Sequence, residues 1–281
     1  MTARWALKRA LKWGVEWGMA LSGAGLLYRG TSSFRNGFRI LTYHKVSERP
    51  ENSHTLKTSD FRDQMAFLSD HHPVMRLEDL VRGITAGPIP QPRALAVTFD
   101  DGYAEAATFV GEILERFRVP ATFFVVTGVL DGAVKMPGGP FLTWDQTRLV
   151  AGAGFSIGSH TVSHRSLREM PLAAAEEELS HSLGRIADEL GTRPRGLSYP
   201  YGTSRDFSPA VADLARSVGY EFATTAIHGL EHAGCNPYLL HRTTITAGDG
   251  LRTFRMILKG HLDPWALVDT WGYRFQRTYD A

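Results

Sequence analysis

Three short stretches hold residues whose types and spacing suit hydrolytic chemistry. The first is Thr98-Phe99-Asp100-Asp101-Gly102-Tyr103, two adjacent carboxylates after the apolar run Ala94–Val97. Neighbours in an extended chain point to opposite sides, but a turn at Gly102 would bring both carboxylates to one site. Adjacent like charges raise one pKa unless a cation intervenes, so a metal ion is a natural partner. The plainer reading is a surface turn, for which Asp-Asp-Gly is ordinary. The second stretch is Ser159-His160-Thr161-Val162-Ser163-His164. Histidines four apart lie on one side of a helical turn, close enough to hold one ion. Neutral imidazole suits zinc and similar metals, although such pairs also arise by chance. The third, Tyr199-Pro200-Tyr201-Gly202, closes another apolar run and by itself reads as a loop turn.

The elements around these stretches must position them. Ile40–Tyr43, Ala94–Phe99, Ala121–Val126, Ser156–Ser159, Gly196–Tyr199 and Glu221–Thr225 read as short buried strands. Asp60–Ser69, Ala104–Phe117, Trp144–Ala153, Leu172–Leu190 and Pro209–Val218 read as helices. Thr143 and Gly154 bracket one of them, Pro209 and Gly219 another. Strands alternating with helices predict an α/β fold with a largely parallel sheet. Gly83–Pro92 and Asp131–Pro140 read as surface loops, and Glu176–Glu178 as a solvated helix face. No repeat and no internal linker divides the body.

The chain has 281 residues, enough for one large domain or two small ones. With 43% apolar and 21% charged residues it is not a disordered, collagen-like or coiled-coil chain. A net charge of +2 is too small for a nucleic-acid footprint, despite a pI near 8.7. The single cysteine, Cys235, excludes an internal disulfide and a cysteine-rich zinc site.

Met1–Tyr28 has a pattern of its own. Arg4, Lys8, Lys12 and Glu16 share one helical face, with Arg9 beside them; Leu7, Ala10, Trp13, Trp17, Ala20 and Leu21 lie on the other. A basic helix with tryptophans on its apolar side predicts a membrane-surface helix. The alternatives are a helix packed on its own domain and an export signal, for which no clean cleavage site follows. Only Trp17–Tyr28, twelve residues, is free of charge, whereas a spanning helix needs about twenty. The expected location is therefore the cytoplasmic face of a membrane, with an exported or periplasmic protein as the alternative. Trp265 and Trp271 either pack on the fold or dip into membrane.

Taken together and in order, the three stretches resemble the polysaccharide deacetylase family, the NodB-homology carbohydrate esterases. That family carries Thr-Phe-Asp-Asp-Gly, then His-Ser/Thr-x-x-His, then a Pro-Tyr/Phe-Gly turn. The resemblance runs from about Arg39 to Lys259, with weaker matches at Leu41-Thr42-Tyr43-His44, Leu142-Thr143-Trp144-Asp145 and Phe222–Thr225. It implies a distorted (β/α) barrel with its site at the strand C-terminal ends. The corresponding division is an amphipathic segment over 1–35, a catalytic domain over 36–260 and a tail over 261–281.

The resemblance also implies roles. Asp101, His160 and His164 would hold one divalent ion, zinc first, with cobalt, nickel, manganese or iron as alternatives. Asp100 would be the general base, and the backbone amide of Tyr201 would donate to the oxyanion. The expected reaction is removal of N-acetyl groups from a glycan or lipid-linked sugar. An O-acetyl ester, another amide, and a barrel that binds glycan without turnover are the alternatives. In this family a histidine near the domain's C-terminal end usually protonates the leaving amine, and Leu239-Leu240-His241 matches that motif loosely. A competing alignment brings Arg242 to the site instead of His241. Many members carry an arginine beside the third motif, where this chain reads Ser198-Tyr199; Arg242 is the candidate substitute, pairing with Asp100, with a surface arginine as the equal alternative. His44 is expected as a sugar contact or acid, or equally as a satisfied core histidine, and Tyr103 and Trp144 as stacking platforms, with core filling an equal account of Trp144. Tyr199 and Pro200 are the remaining substrate-side candidates, and His228 and His232 are weaker ones.

Overall fold

The structure is a computed structural model and describes residues 10–271 apart from 12, 16, 20, 88 and 90. The described part of 10–21 is helical (α1), followed by α2 (Ala24–Arg29) and α3 (Ser32–Asn36). The body begins with β1 (Arg39–Tyr43), β2 (Lys45–Ser47), β3 (Thr55–Lys57), α4 (Thr58–His71) and α5 (Leu77–Ala86). It continues through β4 (Leu95–Phe99), α6 (Phe109–Arg116), β5 (Ala121–Val125), α7 (Thr127–Leu130), α8 (Trp144–Gly152) and β6 (Ser156–Ser159). The last elements are α9 (Leu172–Leu190), β7 (Gly196–Ser198), α10 (Pro209–Val218), β8 (Phe222–Thr224), β9 (Thr243–Thr244), α11 (Leu251–Leu258) and α12 (Trp265–Trp271).

Seven strands form one parallel sheet in the order β8-β7-β6-β5-β4-β1-β9. The sheet curls into a distorted half-barrel, and the 240–244 stretch runs between its edges. Leu240 bridges to Thr224 on β8, and Thr243 pairs with Leu41 on β1. Arg242 therefore lies in the seam of the barrel.

Period-two alternation separates two faces. Leu41, Val97, Phe99, Phe123 and Val125 face outward against Phe61 and Met65 of α4, Val110 and Ile113 of α6, Val150 of α8 and Phe254 of α11. Ile40, Ala96, Phe124, Phe222 and Leu240 form an inner apolar floor. Burying each such Leu or Phe contributes roughly 1.5–3 kcal/mol. Two strand glycines make the floor possible: a Cβ at Gly158 would lie 2.4 Å from the Phe124 ring, and one at Gly196 2.3 Å from Phe222.

Local signals act as expected at two helices. Thr143 and Gln146 make a reciprocal capping box on α8. Ser208 caps α10 with Pro209 in its first turn, and Gly219 ends it in a left-handed conformation. Two readings need correction. Gly83–Ala86 is the last turn of α5 rather than loop, because Leu77, Leu80, Val81 and Ile84 bury one face at helical spacing. The expected helix Ala104–Phe117 is a 3-10 turn at Ala104–Ala107, a break at Thr108, then α6.

At the other end of the barrel Arg39 is buried against Asp263, its Nη2 2.8 and 2.9 Å from the two carboxylate oxygens. Nε2 of His228 lies 2.9 Å from the same carboxylate, so His228 is a core residue and not part of a substrate groove. Trp265 is buried in the outer core. No helix among the described residues is long and apolar enough to cross a membrane. The basic residues Arg4, Lys8, Arg9 and Lys12, with Leu7, Glu16 and Ala20, lie outside the described residues, as does the side chain of Trp271.

Candidate active site

The inward face of the sheet continues past the strand ends. On β4, Ala96 and Thr98 are followed on the same face by Asp100; on β1, Ile40 and Thr42 by His44; on β6, Gly158 by His160. Three chemically active side chains thus reach one rim because each stands one alternation beyond a buried strand position.

Asp101 would point away by the same rule. Its φ is +71° and that of Gly102 is +73°, so the chain turns left-handed and returns the second carboxylate to the rim. The turn starts at Asp101 itself, one residue before the expected glycine.

His160 and His164 do not lie on a helical turn. They flank a loop in which Thr161 and His164 have φ of +67° and +57°. The amides of Thr127 and Gly128 donate to the carbonyls of Thr161 and Val162, and the His164 amide donates to Thr161 Oγ1. Glu178 Oε2 accepts the amides of Val162 and Ser163 at 2.9 Å each, and its Oε1 accepts the Ser163 hydroxyl at 2.6 Å. The loop sets the two imidazoles edge to face at 4.8 Å, with Nε2 of His160 3.5 Å and Nε2 of His164 3.3 Å from Asp101 Oδ1. The three ligand atoms lie within 4.8 Å of one another, the one such cluster among the described residues.

This donor set fits a divalent ion. Nδ1 of His160 is 2.7 Å from the Ser198 carbonyl, which only accepts, so the proton sits on Nδ1. The Nε2 lone pair is then left facing Asp101, the arrangement in which a second hydrogen bond orients a metal-ligating histidine. Burial alone would push the Asp101 carboxyl up, but His160 and His164 hold it well below the usual range. Burial alone would push His160 down, yet Asp100 and Asp101 hold it above its ordinary value. The site is one in which positive charge between these groups is favoured.

Asp100 faces a different cation. Arg242 is fully buried and sets Nη1 and Nη2 2.8 and 2.7 Å from the two carboxylate oxygens. Its Nε donates to the Thr225 carbonyl and Nη2 also to Ser198 Oγ; its guanidinium lies over Phe124, 5.8 Å from the ring centre. Burial raises the Asp100 carboxyl, but the guanidinium, with His160 and His44, outweighs it and leaves the group below its ordinary value.

The remaining candidates divide. His44 stands on the rim with Nδ1 buried and without a hydrogen-bond partner, its ring 4.9 Å from that of His54; burial lowers its pKa despite the facing Asp101 and Asp100. His241 is not brought to the cluster. Alternation turns it away from Arg242, and Glu231, which bridges to Phe38 below β1, accepts its Nδ1–H at 2.9 Å and its backbone N–H. Tyr201 has φ +61° and an exposed ring 4.9 Å from that of His164. Tyr103 is half-buried at the rim, stacked on Phe141 at 5.0 Å. Tyr199 is core: fully buried, stacked on Phe207, its hydroxyl donating to the Tyr238 carbonyl, with Pro200 buried after it. Trp144 is no open platform either, since its indole donates to Asp131 and Arg185 covers its ring. His232 is exposed and bonded locally to Ala233.

Glu178 is the residue that the solvated-face reading missed. Ala175, Leu179, Leu183 and Ile186 mark the buried stripe of α9, and Glu178 flanks it. That flanking position was the available signal.

The family model described as polysaccharide deacetylase matches residues 88–223. YxkH of Bacillus subtilis, named as a candidate polysaccharide deacetylase, is 24% identical over 74% of this chain and 71% of its own length. The poly-β-1,6-N-acetyl-D-glucosamine N-deacetylase of Escherichia coli is 31% identical over 70% of this chain, which spans only 35% of that protein. Among solved structures, Streptococcus pyogenes deacetylase PplD in complex with acetate superposes with a TM-score of 0.71 over 80% of this chain and 98% of its own, at 21% identity, a likeness of fold.

Proposed function

Because the chain belongs to the polysaccharide deacetylase family, we propose that it hydrolyses N-acetyl groups from an N-acetylated sugar in a glycan or lipid-linked glycan, releasing acetate. The carrying observation is the division of labour between two adjacent carboxylates: Asp101 faces two imidazoles, and Asp100 is held by an arginine. The name of the Escherichia coli relative supports an N-acetylated glycan as the substrate class.

Asp101, His160 and His164 are the residues that would hold the metal. A divalent ion bound there supplies Lewis acidity, stabilising negative charge on the acetyl oxygen and making water more acidic. Asp100, kept ionised and aimed by Arg242, takes the proton from the water that attacks the acetyl carbon. The backbone N–H of Tyr201 donates to the oxygen that gains negative charge. As the C–N bond breaks, His44, a neutral ring facing Asp100 across the rim, relays the proton that Asp100 took to the departing nitrogen, so the products are acetate and the free amine. Tyr103 and Tyr201 give aromatic surface beside the reacting group for a sugar ring.

Acetate release from a panel of N-acetylated and O-acetylated glycans and lipid-linked sugars, with and without chelator, tests the reading. Release from N-acetyl substrates, lost on chelation and restored by added zinc, is the expected result. Bound glycan with no acetate released under any metal would overturn it in favour of a binding barrel.

A further inference from the structure

One side of the molecule combines exposed apolar side chains with a basic cleft. Nine large hydrophobic side chains are exposed among the described residues, and six of them, Leu11, Trp13, Trp17, Leu21, Leu27 and Leu267, belong to α1, α2 and α12. Leu21 and Leu27 are each 80% exposed and Leu267 64%, more than isolated surface leucines need explain. The helices are nevertheless seated on the domain. Val15 packs against the outer core, and Gly260 lets the Tyr28 ring approach so closely that a Cβ there would lie 2.8 Å from it.

Beside them α11 exposes Arg252, Arg255 and Lys259 on one face, and with Leu251 and Met256 these line a cleft of about 350 Å³. Arg252 sits over the Trp17 ring at 4.9 Å, joining the cleft to the apolar surface. None of the three cations makes an ion pair with a described residue. Aliphatic stems and tryptophan rings beside unpaired cations suit the boundary between headgroups and acyl chains.

We propose that this side docks on a bilayer containing anionic phospholipid, with lipid phosphates in the Arg252–Arg255–Lys259 cleft and Trp17, Leu21 and Leu27 at the acyl boundary. A second copy of the chain is the poorer occupant. A two-fold interface sets the same patch against itself, so three cations would face three cations. The proposal does not depend on the reaction at the rim.

The test is flotation of the full chain with vesicles of phosphatidylcholine alone and of phosphatidylcholine mixed with phosphatidylglycerol. The chain should bind the anionic vesicles, more weakly as salt rises. Combined R252E, R255E and K259E substitutions, all on exposed positions, should lower that partition on the order of 10²-fold while the chain keeps a cooperative unfolding transition, its midpoint lowered only by loss of the ring contacts of Arg252 and Arg255. Combined W17A and L21A should weaken it on both sides of the salt range. Failure of the unaltered chain to bind anionic vesicles overturns the proposal, as does equal binding by the charge-reversed chain. A concentration-dependent dimer abolished by W17A and L21A, with no vesicle binding, overturns it in favour of self-association.

Discussion

Arg242 grips both carboxylate oxygens of Asp100 from 142 positions along the chain, at 2.8 and 2.7 Å, with both side chains almost wholly out of water. Taking two charges out of water is costly, and the cost is met only where geometry and additional hydrogen bonds are good. Here they are: Thr225, Ser198 and Asp100 together engage every guanidinium nitrogen. The pair sets a guanidinium on Asp100 from the seam between β8 and β1, the position expected of a substitute for the arginine that the third motif lacks.

A double-mutant cycle should expose that coupling. Arg242→Met leaves a buried carboxylate without its partner and should cost about 3–5 kcal/mol in denaturant unfolding. Asp100→Asn should cost less, since an amide keeps part of the hydrogen bonding. The double substitution should be less destabilising than the sum of the two, and strict additivity would show that the pair is not coupled.

Metal content separates the two carboxylates. His160→Ala should purify with little divalent metal by elemental analysis, because it removes one of three donors. Asp100→Asn should retain the metal while turnover falls on the order of 10²-fold or more, as for loss of a general base. Equal metal loss in both would contradict the separation of roles.

The two histidine candidates are separable by kcat. His44→Asn should lower kcat on the order of 10²-fold with little change in KM, as expected for a group that moves a proton in the rate-limiting step. His241→Asn should leave kcat within about a factor of two or three, because Glu231 holds His241 away from the rim. A reversed ranking would return the proton-donor role to His241.

The sequence made the strands and the cluster legible for the same reason. Buried parallel strands are short apolar runs, and Asp100, His44 and His160 each follow such a run on its inward face. The pairing of Arg242 with Asp100 was also accessible, because barrel topology brings strand ends together. What escaped depended on backbone conformation. Nothing in Ser-His-Thr-Val-Ser-His announces that Thr161 and His164 turn left-handed, so the spacing suggested a helical turn that is not there. Tyr199 and Trp144 carry aromatic rings that composition alone assigns equally to a sugar or to a core. Only Phe207 stacked on one and Arg185 over the other decide. The short strands β2, β3 and β9 have two or three residues and, unlike β7 and β8, lie in no apolar run, so nothing in the sequence marks them.

Glu178 is predicted to position the histidine loop. Glu178→Ala removes acceptors for two amides and a hydroxyl and should cost about 1–3 kcal/mol. It should also weaken zinc binding in a competition titration roughly 10- to 100-fold, as for other groups that orient ligands. Glu178→Gln keeps one carbonyl oxygen and should recover part of both. A stability loss with unchanged zinc affinity would mean that the glutamate only braces α9.

Acid stability should depend on the buried group of Arg39, Asp263 and His228. Burial lowers the His228 pKa, so the folded protein keeps this ring neutral while the unfolded chain takes up a proton near its ordinary value of about 6.5. Asp263 is also held below its ordinary value: burial raises it, but Arg39 and then His228 outweigh that effect. In both cases the unfolded chain binds more protons, so stability rises with pH through each window and is lost on acidification. The His228 contribution should be lost below about pH 6.5, where His44 acts in the same direction, and the Asp263 contribution below about pH 4, alongside those of Asp100 and Asp101. His160 and His241, held above their ordinary values, act the other way in the upper window. The His228 contribution is therefore read by comparing urea midpoints of variant and unaltered chains from neutral to acid pH. His228→Gln should make the midpoint fall less between about pH 6.5 and pH 4 than in the unaltered chain, with the fall below about pH 4 unchanged. Asp263→Asn should lower the midpoint already at neutral pH, because Arg39 is then buried without its carboxylate. An equal fall in the His228→Gln and unaltered chains between about pH 6.5 and pH 4 would refute the His228 assignment.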